Sequence, residues 1–249
     1  MCIRDRIWTT HAHHATHIFC LVRTDKSGRK QEGITFLLID LRQKGVEVRP
    51  IIGIAGDHEV NEVFFDNAET STENLVGEEG QGWAVAKFLL ENERRGSCRA
   101  PKLLADIANI RKAANTESDG CNGPVGLDPF FNRGLDEIEL EAQALEILEL
   151  KTLDDLSKGN SVVGRASISK LVGSSLRQKV DGFAFKLAGY SGLRLETLRP
   201  LYGNESPLPV HNKASQLAAP AYLNSRAWTI FGGTNEIQKT ILAKRVLGI

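Results

Sequence analysis

The spacing of apolar residues changes once along this chain, near Trp83, and that change limits the folds that the chain can adopt. Before it, short apolar runs alternate with turn residues, which is the pattern of closely spaced β-strands. After it, apolar residues recur every three or four positions over long stretches, as on one face of a helix. The sequence therefore predicts an α+β fold, with an antiparallel β part first and an all-α part second.

The strands are predicted from apolar or alternating runs that end in turn residues. These runs cover residues 18–22, 34–39, 46–48 and 60–65, and residues 26–29 have the composition of a turn. Strands that follow one another so closely favour an antiparallel sheet or a small barrel.

The helices are predicted from Trp83 onwards. They cover residues 83–112, 129–158, 167–187, 218–230 and 235–247. Polar, glycine-rich or proline-rich loops separate them, at residues 115–128, 159–164 and 193–217. Long amphipathic helices joined in this way are typical of a four-helix bundle.

Composition excludes several classes of protein. With 31 basic and 31 acidic side chains, the chain lacks the basic surplus of a general nucleic-acid binder. Its apolar runs are too short to span a bilayer, and no signal peptide is visible. The four cysteines show no CxxC spacing and are typical of reduced thiols, which predicts a cytoplasmic protein. Because residues 1–6 lead directly into what reads as a mid-domain strand, we expect the natural N-terminus to lie elsewhere.

The most informative stretch lies near the end of the chain, at residues 227–238. An apolar, aromatic run stops at Gly232 and Gly233, and Thr234 or Asn235 then opens a new helix as its N-cap. Bare amides at a helix N-terminus attract anions and polar ligand atoms. Taken alone, the stretch is better explained as an ordinary helix–loop–helix connection with a glycine hinge.

The same stretch resembles the C-terminal active-site loop of the acyl-CoA dehydrogenases. In that family an aromatic residue, a glutamate, a glycine and a threonine precede a helix that reads I-Q-x-x-I-x-A-[KR]. Here Ile237-Gln238, Ile241 and residues 243–245 match the helix, whereas Gly232 takes the place of the usual catalytic glutamate.

The resemblance extends over residues 7–249. It implies part of the middle β-domain at residues 1–76 and the C-terminal helical domain at residues 77–249, with the family's N-terminal helical domain missing.

A second match lies in the first strand, where residues 7–12 resemble the family's flavin strand, W-[IT]-[TS]-x-[AG]. The resemblance assigns Trp8 as an apolar wall against the flavin ring and Thr10 as a donor near N5. Without the resemblance, Trp8 would simply close one end of a barrel.

A third match lies at the G-x-G-[WF] turn, residues 80–83, which in the family leads into a helix with a D/E-x-x-R element. Residues 91–94 carry that element here. In the isovaleryl-CoA and long-chain branches the base directly precedes the arginine, and the C-terminal loop has Gly or Ala. The resemblance therefore implies Glu93 as the catalytic base, with Glu91, Arg94 and Gly232 facing the substrate. From the residues alone, Glu93 is one charge on a solvated helix.

A fourth match is partial. Gly189 and Gly192 fit the spacing of the Q-x-x-G-G-x-G loop, which in the family meets the ADP half of the FAD bound by a neighbouring subunit, but Lys186 and Tyr190 depart from it. A plain helix C-cap explains the glycines nearly as well. The resemblance assigns further FAD contacts to Thr234, Asn235 and Glu236.

Four histidines crowd residues 11–17, and imidazole is the commonest metal ligand. No Asp, Glu or Cys completes a coordination shell at an obvious spacing, so the sequence predicts no metal site.

Together the matches imply an FAD-dependent acyl-CoA dehydrogenase that desaturates the α,β bond of an acyl-CoA thioester and passes electrons to an electron-transfer flavoprotein. Because the cofactor loop serves a neighbour, a homodimer, a homotetramer or a heteromeric assembly is expected. Three alternatives stay open: a non-catalytic subunit of a heteromeric dehydrogenase, a flavin monooxygenase or oxidase of the same fold, and a purely structural helical protein.

Overall fold

The computed structural model describes residues 4–95, 99–118, 123–193 and 213–249, without the side chains of Arg4, 91–95 and 213–216. The chain forms two compact units. Unit 1 comprises residues 1–53 and 57–93, and unit 2 comprises residues 54–56 and 94–249.

The described part of unit 1 holds five strands. Three lie close to predicted runs, the fourth extends beyond the predicted residues 46–48, and the first overlaps the predicted flavin strand at residues 7–12. They are β1 (Arg4–Thr10), β2 (His17–Arg23), β3 (Ile34–Asp40), β4 (Val46–Ile52) and β5 (His58–Phe65). β5 pairs antiparallel with β1 on one side and with β4 on the other, and β2 pairs antiparallel with β3. The predicted antiparallel β part is confirmed.

The core of unit 1 follows from the two-residue period of its strands. Asn61, Val63 and Phe65 alternate along β5 and are all buried, because successive side chains of a strand point to opposite faces. Val63 and Phe65 pack against Cys20 and Ile39, so that residues of both sheets share one apolar core. Among the buried residues of β5, Asn61 is polar and the others are apolar.

Helix α1 (Gly82–Arg95) follows a tight turn that packs against strand β3. The amide of Gly80, at a φ of 79°, donates to the Thr35 hydroxyl over 2.9 Å. A Cβ added at Gly82 would lie only 2.6 Å from the amide nitrogen of Phe36, so the helix can begin here only with a glycine.

Unit 2 is helical. Its helices are α2 (Ala100–Ala114), α3 (Pro129–Ser157), α4 (Arg165–Ala188), α5 (Lys213–Asn224) and α6 (Asn235–Leu242). Helices α2, α3 and α4 bury one shared apolar core, which includes Ile107, Leu135 and Leu176. Helix α5 packs against α4, and the predicted bundle of long helices is confirmed.

The start of helix α3 follows from local capping residues. Asp128 is the N-cap, and its carboxylate accepts a hydrogen bond from the Phe130 amide over 2.9 Å. Pro129 occupies the first turn, where a missing N–H costs nothing. The predicted bounds, 129–158, differ from the observed ones by one residue.

Two predicted helices differ from the structure. The single helix predicted for residues 83–112 is divided into α1 and α2, because Glu149 of α3 caps a new helix start at residue 99. Its buried carboxylate accepts hydrogen bonds from the amides of Arg99 and Ala100 and from the Ser169 hydroxyl, over 2.7–3.2 Å.

The second difference is the helix predicted for residues 218–230. Helix α5 covers residues 213–224 instead, and a 3₁₀ turn, Ser225–Thr229, follows it. Most of the loop predicted for residues 193–217 lies outside the described residues. Among the helices that are described, none is both long enough and apolar enough to cross a membrane.

Candidate active site

Strand β1 is distorted where the sequence predicts a flavin contact. Its register with β5 shifts between Arg6 and Thr9, and Trp8 within this bulge has a φ of 63°. A left-handed conformation costs a non-glycine residue roughly 1–2 kcal/mol. Trp8 is 64% exposed, and Thr10 is exposed too. Unit 1 thus presents a broad apolar ring beside a hydroxyl at the end of its sheet.

A buried amide holds this end of β1. Asn61 of β5 is 0% exposed, and its Nδ2 donates to the Thr9 carbonyl over 2.9 Å and contacts His13 Nδ1 at 3.1 Å. Its Oδ1 lies 2.7 Å from His58 Nε2. The residue between Trp8 and Thr10 is therefore tied to the core of unit 1.

For the three residues of α1 that are predicted to face the acyl-CoA, the structure describes the backbone but not the side chains. Glu91, Glu93 and Arg94 lie near the C-terminal end of that helix, and their side chains lie outside the described residues.

The last predicted segment forms an open turn, which we call the glycine loop (residues 231–234). Gly232 and Gly233 have φ values of 66° and 86°, and Thr234 caps α6 by accepting from the Ile237 amide over 3.2 Å. Among the described residues, a Cβ added at Gly232 would meet nothing within 4 Å. Gly232, the position that the resemblance aligns with the usual catalytic glutamate, therefore has room for a side chain among these residues.

The carbonyls of the glycine loop are held from inside unit 2. Gln238 is 0% exposed, and its Nε2 donates to the carbonyls of Gly232 and Gly233 over 3.4 Å each. Its Oε1 accepts from the Ser167 hydroxyl of α4 over 2.8 Å. Within the described parts of the chain, the amides of Gly232, Gly233 and Thr234 meet no acceptor. In the glycine loop, the carbonyls of Gly232 and Gly233 are therefore hydrogen-bonded, whereas the amides of residues 232–234 are available to donate.

A buried lysine on α4 supports the start of α6. Lys170 is 4% exposed and donates to Asn235 Oδ1 over 2.8 Å, and the Ser174 hydroxyl approaches the same oxygen at 3.3 Å. Burial lowers the pKa of Lys170, and the charge of Arg99 lowers it further. The Asn235 oxygen thus faces α4.

Glu236 is exposed at the same helix start. The pKa of Glu236 is lowered because its carboxylate accepts hydrogen bonds from its own amide and from the Thr234 hydroxyl.

Sequence reasoning missed Lys170 and the two serines beside it. Ser167, Lys170 and Ser174 are spaced three and four residues apart, so they lie along one face of α4. A polar stripe on a helix that packs on several sides is a signal that could have revealed them.

The glycines at the end of α4 have local structural roles. Gly189 is the C-cap, with a φ of 52°. Gly192 is buried, and a Cβ added there would lie 2.7 Å from that of Ala188. Tyr190 between them is almost fully exposed. The contact of these glycines with FAD of a neighbouring subunit stays a prediction.

Comparison with known sequences now gives the family. A model of the acyl-CoA dehydrogenase C-terminal domain matches residues 80–247. Acyl-CoA dehydrogenase IpdE1 of Mycolicibacterium smegmatis is 34% identical over 245 residues, which are 98% of this chain and 56% of that protein. Acyl-CoA dehydrogenase FadE34 of Mycobacterium tuberculosis is 31% identical, over 98% of this chain and 30% of that protein. The chain belongs to the acyl-CoA dehydrogenase family, as its resemblance predicted.

Solved structures agree on the fold. The ChsE4-ChsE5 complex from Mycobacterium tuberculosis contains a chain that matches with a TM-score of 0.77 at 19% identity, over 99% of this chain and 60% of that one. The chain thus spans little more than half the length of IpdE1 and of this structural relative.

Proposed function

We propose that this chain is the flavin- and substrate-binding part of an FAD-dependent acyl-CoA dehydrogenase, which desaturates the α,β bond of an acyl-CoA thioester. The observation that carries the proposal is the glycine loop. Its carbonyls are tied inward by Gln238, and its amides are available to donate to a thioester oxygen. Such donors stabilise the negative charge that develops when the α-proton leaves.

The base that removes this proton is Glu93. The usual glutamate is absent because Gly232 occupies its position, and Glu93 directly precedes Arg94 on α1, as in the branches of the family that keep the base on this helix. A carboxylate is suited to this step when it lies over the α-carbon. Glu91 and Arg94 then orient the substrate.

The exposed face of β1 fits a flavin. A flat aromatic ring system packs well on a flat apolar partner, and Trp8, in a bulge with a φ of 63°, is 64% exposed. Thr10 adds an exposed hydroxyl beside it. When bound, the flavin supplies the acceptor for the hydride from Cβ. Thr234, Asn235 and Glu236 would contact FAD at the start of α6.

The assembly is a homodimer, a homotetramer or a heteromer in which Gly189 and Gly192 serve the cofactor of a neighbouring subunit. An electron-transfer flavoprotein accepts the electrons. A heteromer is supported by the similarity to a chain of the ChsE4-ChsE5 complex.

The test is an anaerobic absorbance titration of the full-length, flavin-loaded protein with short, branched and long acyl-CoAs. One acyl-CoA is expected to bleach the flavin. Glu93→Gln should bind that ligand but bleach at least ~100-fold more slowly. Glu137→Gln is the control, because Glu137 is exposed on α3 and pairs only with Arg133 among the described residues.

A second variant tests where the base stands. Glu93→Gln combined with Gly232→Glu restores a carboxylate at the position used by most of the family. Space is available there, although the φ of 66° costs an ordinary residue roughly 1–2 kcal/mol. Partial recovery of bleaching supports the proposal, whereas equal rates in wild type and Glu93→Gln would show that another group is the base.

The bare Gly232 also favours a second candidate, a non-catalytic subunit of a heteromeric dehydrogenase. In that case flavin is bound or the partner is held, but no acyl-CoA bleaches the flavin. Adding the partner subunit would then restore activity, and Glu93→Gln would leave that activity unchanged.

A further inference from the structure

Three histidine side chains converge just after β1, in a segment that we call the histidine bend (residues 11–15). One potential ligand nitrogen from each of His11, His13 and His14 lies within 4.8 Å of the others. His11 and His13 are half-buried and His14 is exposed. The proposed dehydrogenase chemistry uses none of the three.

The backbone explains why they converge. His11 has a φ of 55°, which ends the strand, and its carbonyl then accepts from the amides of His14 and Ala15 over 2.9 and 3.1 Å. One helix-like turn follows, which brings His11 and His14, three residues apart, to the same side. His13 is placed beside His14 by a ring contact, with centroids 3.9 Å apart. Ala12, between His11 and His13, is buried.

β5 supports the bend from behind. The ring of His58 stacks on that of His13 with centroids 3.8 Å apart, and Asn61 contacts both rings. These residues are far from the bend in sequence, so the fold supplies a second layer of polar groups that the spacing of residues 11–17 does not reveal. Without a bound ion, these contacts fix the orientation of the His13 ring.

We propose that His11, His13 and His14 bind one divalent transition-metal ion of the zinc type. A set of three imidazoles suits Zn²⁺, Cu²⁺ or Ni²⁺, whereas Mg²⁺ and Ca²⁺ require oxygen ligands. Zinc–nitrogen bonds of about 2.0–2.1 Å need ligand nitrogens about 3.4 Å apart in a tetrahedron, so the nitrogens have only a short distance to close. The exposure of His14 leaves the fourth position to water.

Metal binding changes the contacts of Asn61. The Thr9 carbonyl can only accept a hydrogen bond, so the Asn61 atom that faces it is the NH₂ nitrogen, Nδ2. The same NH₂ group also lies against His13 Nδ1, to which it donates. A metal on Nδ1 takes the lone pair that this bond uses. A metal on Nε2 moves the ring proton to Nδ1, where the amide cannot donate. Coordination through either nitrogen therefore breaks the bond between Asn61 and His13. Because Asn61 also donates to the Thr9 carbonyl, this change acts on the backbone between Trp8 and Thr10.

The experiment is a Co²⁺ titration of the tag-free, full-length protein, followed by Zn²⁺ competition. Co²⁺ is a suitable probe because its visible absorption reports nitrogen ligands and low coordination number. We expect one equivalent per chain, displaced by one equivalent of Zn²⁺. His14→Ala and His11→Ala should each weaken binding at least ~10-fold.

The matched control is His17→Ala. His17 is exposed in the same stretch and contacts only Thr16 among the described side chains, so its loss should leave the affinity unchanged. His14 is exposed as well, so its replacement is compatible with folding. Unaltered affinity in the His11→Ala, His14→Ala double variant would overturn the proposal, as would binding that is lost with His17.

Discussion

The histidine bend of unit 1 and the glycine loop of unit 2 are both irregular turns held by one fully buried side-chain amide. Asn61 holds the first and Gln238 the second, and both are 0% exposed. Their partners differ. Asn61 contacts one carbonyl and two imidazoles, whereas Gln238 contacts two carbonyls and one hydroxyl.

That difference determines what each turn can respond to. Carbonyls and hydroxyls keep one protonation state at all ordinary pH values, so Gln238 holds a fixed arrangement. Imidazoles gain protons or metals near neutral pH. The pKa of His13 is lowered by burial and by the neighbouring charges of His58 and His14. The glycine loop is thus held by groups that do not titrate, whereas the histidine bend is held by groups that can.

The largest expected effect comes from Gln238→Leu. It leaves two carbonyls and the Ser167 hydroxyl without their partner inside unit 2, which costs about 2–4 kcal/mol of unfolding free energy. Urea denaturation measures this loss. Gln143→Leu on the exposed face of α3 is the control and should change stability by less than about 0.5 kcal/mol. Similar losses of unfolding free energy in the two variants would show that Gln238 does not stabilise the glycine loop.

Asn61→Ala is expected to cost less, about 1–3 kcal/mol, because the half-buried imidazoles can turn to water once the amide is gone. Asn109→Ala, at an exposed position of α2, is the control. The comparison fails if Asn61→Ala destabilises more than Gln238→Leu, since the histidine bend would then be the more rigid turn.

Thr234→Ala removes the N-cap of α6 and should cost about 1 kcal/mol. Thr234→Ser keeps the hydroxyl that accepts from the Ile237 amide and should retain most of that stability. Thermal unfolding of the two variants side by side measures the difference. Equal loss in both would mean that the methyl group, not the cap, stabilises the loop.

The smallest effect concerns Lys170 and pH. Because burial holds the folded-state pKa of Lys170 below its ordinary value of 10.5, the unfolded chain binds more protons between the folded-state pKa and 10.5. Stability therefore rises with pH through that window. The stability of wild type relative to Lys170→Met should therefore increase from neutral pH towards 10.5. A flat or falling difference would mean that Lys170 is not buried in its charged form.

The order of strands and helices along the chain can be predicted from the sequence. A two-residue period predicts the strands, a period of three or four predicts the helices, and Asp128 followed by Pro129 marks the start of α3. The glycine loop and its threonine cap are equally local, so they are visible as Gly232, Gly233 and Thr234. All of these signals depend on neighbours within one or two turns of chain.

The contacts that hold both turns were decided only by the tertiary structure. Asn61 meets Thr9 across 52 positions, and Ser167 meets Gln238 across 71. Glu149 divides a predicted helix by capping residues about 50 positions before it. Local spacing records which face of an element a residue occupies. It does not record which distant element that face will meet, because packing of the whole chain selects the partner.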